Sequence, residues 1–293
     1  GMPAPLKLNR IITPDGIFGA KMTIFESVGA RNPRRGTVLI FPGGGYCWLS
    51  DRESMPIAEA FCAAGYRAAI LSYEVSADTL GLIPVKQAAW AVGKLRETYL
   101  SESVYLAGFS AGAHCAMCLG VHWNDADWNG DRFLDEVRAY LLERCTDETR
   151  RPILQEAELF RPDRMILSYP VISGGTYAHR GSFQRLLGSK MDAEERQRAL
   201  RWFSLETQVS KRTPPTFLWH TAEDTEVPVQ NSLFFAERLV MCGVPVELHI
   251  YPKGEHGLSL ATDAVQQPEK GRLSDAHVAQ WFPTMLEWLD DSM

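Results

Sequence analysis

The feature that most constrains this chain is an alternation: short apolar runs recur along it, separated by longer amphipathic stretches. Runs of five to seven apolar residues are too short for helices and suit strands buried on both faces, and the stretches between them are long enough for crossover helices. The pattern therefore predicts β-α units around a mostly parallel sheet. Expected strands are Leu6–Ile12, Met22–Val28, Thr37–Phe41, Arg67–Ser72, Val104–Gly108, Met165–Ile172, Thr216–His220 and Val244–Tyr251. Expected helices are Met55–Ala64, Pro84–Tyr99, Ala111–Gly120, Asp131–Cys145, Asp192–Trp202, Val229–Met241 and Asp275–Leu289. Two polar, helical stretches interrupt the alternation, about 122–161 and 177–212. They read as insertions in a single domain spanning 1–293, placed to roof its site as a small cap.

Composition excludes several classes. Lys and Arg number 30 against 36 Asp and Glu, a net charge of −6, with no basic run of the kind that neutralises nucleic-acid phosphates. No apolar run approaches the roughly 18–20 residues needed to cross a bilayer. Gly1-Met2-Pro3-Ala4-Pro5 shows no basic segment followed by an apolar one, so no signal peptide is expected, and Gly1 reads as an expression scar. Six cysteines are too sparse for a disulfide scaffold and point to a reducing, cytoplasmic compartment. Cys115 and Cys118 have metal-ligand spacing, but no further ligand pair completes a tetrahedral set, so they are expected to be buried thiols. No metal or cofactor is expected.

Gly108-Phe109-Ser110-Ala111-Gly112 matches Gly-x-Ser-x-Gly between an expected strand and an expected helix, the context of a nucleophile elbow. A serine hydroxyl needs a base to take its proton. His256 lies on a short glycine-bounded loop, whereas His114, His122, His179, His220, His249 and His277 fall in helices, strands or surface segments. An acid must then orient the imidazole. Asp224, on a loop after a strand, is preferred to its neighbours Glu223 and Glu226. The order Ser110, Asp224, His256 is that of α/β-hydrolases. Pro42-Gly43-Gly44-Gly45 follows the first strongly apolar strand, where backbone donors for an oxyanion are expected. Gly44, Gly45 and Ala111 are the predicted donors. The segment lacks the Gly-Lys-Ser/Thr or spaced glycines of a phosphate loop.

Together Phe41–Tyr46, Arg52-Glu53-Ser54, Gly108–Gly112, Pro214–His220, Asp224 with Val227-Pro228, and Gly254–Gly257 resemble bacterial α/β-hydrolase esterases. The nearest group is the acetylesterase and acetyl-xylan-esterase branch beside the hormone-sensitive-lipase-like enzymes. One departure is Pro42, where the His-Gly-Gly-Gly form has histidine. The resemblance implies an α/β-hydrolase fold and a serine esterase removing acetyl groups from small carbohydrate esters, with a small-molecule ester as its partner. A homodimer is compatible with it. Tyr46, Trp48, Tyr73 and Trp219 are placed to stack on a sugar ring, with Tyr46 and Trp219 the substrate-binding candidates. Glu53 is a candidate anchor for the glycine loop. Two alternatives stay open: a prolyl-oligopeptidase-like peptidase, and an inactive hydrolase fold used as a binding module.

Overall fold

The computed structural model describes residues 6–29 and 36–291; the leader-free reading of residues 1–5 lies outside them. Strands are β1 (Leu8–Thr13), β2 (Lys21–Ser27), β3 (Gly36–Phe41), β4 (Arg67–Ser72), β5 (Ser103–Phe109), β6 (Arg164–Ser168), β7 (Thr216–Thr221) and β8 (Val246–Tyr251). Helices are α1 (Met55–Ala63), α2 (Ile83–Thr98), α3 (Ala111–His122), α4 (Leu134–Glu143), α5 (Arg151–Leu154), α6 (Arg180–Leu187), α7 (Ala193–Phe203), α8 (Gln230–Met241) and α9 (Trp281–Asp290). The strands form one eight-stranded sheet in the order β1-β2-β4-β3-β5-β6-β7-β8. β1 and β2 pair antiparallel, β2 joins β4 antiparallel, and every later pairing is parallel.

The period of two decides which side chains face which layer. In β3, Leu39 and Phe41 enter the core beneath α2, α3 and α8. Val38 and Ile40 enter the core beneath α1 and α9. All four are inaccessible to solvent, and burying each side chain contributes about 1.5–3 kcal/mol before conformational entropy is subtracted. This two-sided burial is why the run reads as continuously apolar. Among the described residues no helix is long and apolar enough to cross a membrane.

Two elements end differently from expectation. The strand expected over 165–172 stops at Ser168, because Tyr169 turns to φ 36° and Pro170 has no N–H to offer the ladder. The chain there swings over the edge of β5, and Val171 N–H bonds to the Ser110 carbonyl at 3.1 Å. The closing helix is split, with a 3-10 turn at Val278–Gln280 before α9. The Asp275 carboxylate accepts the N–H groups of His277 and Val278 at 3.0 and 3.1 Å, capping this first turn, in which His277 is already helical.

The first insertion, carrying α4 and α5, does not roof the sheet ends. It packs on the outer face of α2, where Lys86 pairs with Glu136 at 2.6 Å and Arg96 donates to the Leu159 carbonyl at 3.0 Å. Leu141 lies so close over Gly93 that a Cβ there would come within 2.5 Å of it. The second insertion carries α6 and α7, and its start reaches the site described next.

Candidate active site

The parallel register brings Phe41 beside Gly108, Phe109 beside Ser168, and Thr221 beside Tyr251. The loops that leave the carboxyl ends of β3, β5, β7 and β8 therefore meet at one edge. Strand order reverses between β3 and β5, so the loops leaving them flank a crevice at the switch point, where open α/β sheets bind ligands.

Ser110 sits between β5 and α3 at φ 55° and ψ −118°, a conformation that costs a residue with a Cβ about 1–3 kcal/mol. The flanking glycines allow this sharp turn. A Cβ on Gly108 would lie 2.4 Å from the Ala113 Cα, and one on Gly112 would lie 2.1 Å from the Phe41 carbonyl oxygen. The turn aims the Ser110 hydroxyl at His256, with Oγ 2.8 Å from Nε2. His256 Nδ1 lies 2.6 Å from Asp224 Oδ2. The other Asp224 oxygen accepts the N–H groups of Glu226 and Val227 at 3.0 and 2.9 Å. His220 Nε2, which also donates to the Val227 carbonyl at 2.8 Å, lies 3.3 Å from Oδ2.

The charges in this chain follow from those contacts. Burial works to raise the Asp224 carboxyl, but hydrogen bonds from His220 and His256 outweigh it and hold the group well below the usual carboxylate range. Burial works to lower His256, but the Asp224 carboxylate against Nδ1 more than offsets it, so the imidazole is raised above 6.5. The rival acids lie elsewhere. Glu223 accepts the Gly254 N–H at 3.0 Å and so braces the histidine loop. Glu226 is exposed, with Oε2 4.0 Å from His256 Nε2.

The glycine loop forms the opposite wall. Gly44 adopts φ 138°, and a Cβ there would lie 2.0 Å from the Trp48 carbonyl oxygen, so the turn admits no side chain. Among the described residues the N–H groups of Gly44, Gly45 and Ala111 make no hydrogen bond to the protein. The α3 N-terminus adds its partial positive charge there. Glu53 Oε1 accepts the Gly43 N–H at 3.0 Å from behind, so this carboxylate anchors the loop. A cavity of about 330 Å³ opens in front, walled by Gly44, Gly45, Trp48, Ser110, His179, Glu226, His256 and Arg272 among others.

Neither aromatic expected to bind substrate reaches this cavity. Trp219 is fully buried in β7, where it stacks on Trp281 and its indole N–H donates to Ser168 Oγ at 2.6 Å. Tyr46 is buried too, because its positive φ turns the ring inward and its hydroxyl meets His114 Nδ1 at 2.8 Å. Tyr73 is likewise buried, its hydroxyl donating to the Pro42 carbonyl. Of the four aromatics only Trp48 stands at the cavity. Sequence reasoning passed over His179 and Arg272, which do line it. His179 stands at the start of α6, a helix-capping position whose local sequence carries no sign of a cavity; Arg272 lies on a turn far along the chain. Cys115 and Cys118 are buried within α3, and burial pushes both thiols up. All six cysteines are free thiols.

Such a sheet, with a serine on the turn after its central strand and an imidazole and a carboxylate in line behind it, defines the class as α/β-hydrolases. Within it the chain belongs to the BD-FAE family, whose model matches residues 22–239. It is 34% identical over 254 residues to endo-1,4-beta-xylanase B of Butyrivibrio fibrisolvens, covering 84% of this chain. The match spans only 36% of that relative's length. Among solved structures, it resembles an acetyl ester-xyloside bifunctional hydrolase from Caldicellulosiruptor lactoaceticus, at 31% identity and a TM-score of 0.71, covering 94% of this chain and 88% of that one. Carboxylesterase Cest-2923 from Lactobacillus plantarum WCFS1 shares the fold at 23% identity and a TM-score of 0.71, over 97% and 96% of the two chains.

Proposed function

We propose that the protein is a serine carboxylic-ester hydrolase that deacetylates small carbohydrate esters of the xylan type through an acyl-enzyme. The observation that carries this reading is the unbroken line from Ser110 Oγ through His256 to Asp224, with contacts of 2.8 and 2.6 Å. Ser110 Oγ attacks the ester carbonyl carbon while its proton passes to His256 Nε2. The carbonyl π electrons move onto oxygen, and the N–H groups of Gly44, Gly45 and Ala111 receive that negative charge. Each such donor is worth about 3–4 kcal/mol of transition-state stabilisation. On collapse the alcohol oxygen leaves with the proton from His256. Water then gives a proton to His256 as it attacks the acyl carbon; the acyl–Oγ bond breaks, the acid is released, and His256 Nε2 returns the proton to Ser110 Oγ. Asp224 holds the imidazole in the tautomer this sequence requires.

A cavity of about 330 Å³ suits a small acyl group better than a long chain. The acetyl-ester and xyloside activities named for the C. lactoaceticus relative and the xylanase name of the B. fibrisolvens one support a xylan-derived alcohol. The six free thiols support a reducing, cytoplasmic setting. The test is a fluorophosphonate probe together with a p-nitrophenyl ester series and acetylated xylo-oligosaccharides. Wild-type enzyme should be labelled and should favour acetate. Ser110→Ala should lose both labelling and several orders of magnitude in rate, and an unlabelled wild-type enzyme with no esterase activity would sink the proposal.

A further inference from the structure

A donor and an acceptor with no assigned task line the cavity in front of Ser110 and His256. The first is His179. Its Nδ1 accepts the Ser182 N–H at 3.3 Å and lies 2.8 Å from the Ser182 hydroxyl, capping α6. An N–H can only donate, so Nδ1 carries no proton and the neutral ring carries its proton on Nε2. Burial, with His256 nearby, lowers His179, although the Glu226 and Asp224 carboxylates pull the other way. Its Nε2 has no hydrogen-bond partner among the described residues, while the ring lines the cavity against Gly45, 3.7 Å from where a Cβ would stand.

The acceptor is Glu226. Its backbone N–H is fixed by Asp224 Oδ1 at 3.0 Å, so the turn that holds the acid of the triad also sets the start of this side chain. Its Oε2 lies 4.0 Å from His256 Nε2. Geometry assigns this carboxylate to one half of the substrate. The departing alcohol oxygen must come within hydrogen-bond reach of Nε2 to be protonated. A carboxylate 4.0 Å from that nitrogen is within reach of the alcohol as it departs.

We infer that His179 and Glu226 form the alcohol subsite, His179 Nε2–H donating to one hydroxyl of a sugar and Glu226 accepting from another beside the scissile ester. This rests on the esterase reading and deepens it: the favoured leaving alcohol is polyhydroxylated. Each hydroxyl brought here exchanges water for a charged acceptor or a ring N–H, an exchange that an alcohol without further hydroxyls cannot make.

The test compares kcat/KM for a monoacetate of methyl β-xylopyranoside with that for cyclohexyl acetate, whose ring has similar size and no free hydroxyl. Glu226→Gln changes the charge near His256 for both esters alike, so the ratio isolates the alcohol contacts. That ratio should fall about threefold to tenfold, because the amide oxygen that replaces the carboxylate still accepts but carries no charge. His179→Asn keeps an oxygen able to cap α6 but shortens the reach into the cavity, and the ratio should fall about threefold to tenfold. Ratios unchanged in both variants overturn the subsite while leaving the esterase reading intact. Hydrolysis of neither ester by the wild-type enzyme overturns the esterase reading, and the subsite with it.

Discussion

The buried Glu53 carboxylate holds the Gly43 N–H at 3.0 Å, directly behind the glycine turn. Its other oxygen is bonded by the Tyr169 hydroxyl, which accepts the Ser259 N–H at 3.0 Å. Tyr169 also presents its ring to the His256 imidazole, centroids 5.0 Å apart in a T-shaped pair. One carboxylate thus ties the glycine loop to the histidine loop, and burial pushes its own proton affinity up.

Truncating that tie should be felt in both loops. Glu53→Ala leaves the Gly43 N–H and the Tyr169 hydroxyl buried without acceptors, each at about 1–3 kcal/mol. The unfolding midpoint in urea should therefore drop by the equivalent of about 2–5 kcal/mol. The turnover number should fall as well, because the backbone donors lose their backing. An unchanged midpoint would show that Glu53 is not an anchor.

The acid limb of the pH–rate profile should reflect the raised His256. Only the neutral imidazole can take the Ser110 proton. A group raised above 6.5 in the folded protein becomes neutral only at higher pH, so the half-maximal rate should lie above pH 6.5 and activity should fall as pH drops through that value. Asp224→Asn removes the main cause of the upward shift. It should move the limb to lower pH while costing about 10⁴-fold in rate through loss of the required tautomer. A limb that stays in place in this variant would contradict the assignment.

The two buried substrate-binding candidates, Tyr46 and Trp219, should act on stability instead of selectivity. Trp219→Ala empties a site packed against Trp281 and should cost about 3–5 kcal/mol in chemical denaturation. Tyr46→Phe takes from His114 Nδ1 its hydroxyl donor and leaves it only the weak Cys118 thiol at 3.7 Å. His114 is fully buried, lowered to about 4 by desolvation, and committed through Nε2 to the Phe203 carbonyl at 2.8 Å, so about 1–3 kcal/mol should be lost. Acyl-chain selectivity measured with p-nitrophenyl esters should be the same in Tyr46→Phe as in wild type. A changed preference would put the ring back in the cavity.

Requirements that are local in the chain were legible from residues alone. A strand that must turn sharply into a helix needs small neighbours, and Gly108, Ser110 and Gly112 advertise that turn whatever surrounds them. Buried strands such as β3 declare themselves because apolar side chains are needed on both faces. The chain order of Ser110, Asp224 and His256 was legible for a similar reason, each residue standing just beyond a recognisable strand. The closing helix differs at its start because the turn capped by Asp275 continues with 3-10 bonds over Val278–Gln280 before α9, a change of hydrogen-bond register that apolar spacing does not record.

Direction and distance were decided only in three dimensions. Tyr46 follows the glycines whether its ring faces the cavity or the core, and the choice rests on its positive φ and on His114, 68 residues away in the chain. Trp219 likewise has a face assigned by the pairing of β7 and by the arrival of α9. His179 and Glu226 come to one cavity with His256 because the second insertion folds back over the β3 loop and the Asp224 turn orients the residues after it. Amino-acid types set which turns and layers this chain could form. Long-range packing alone determined which side chains those turns point at one another, because that depends on contacts between segments whose separation in sequence carries no signal.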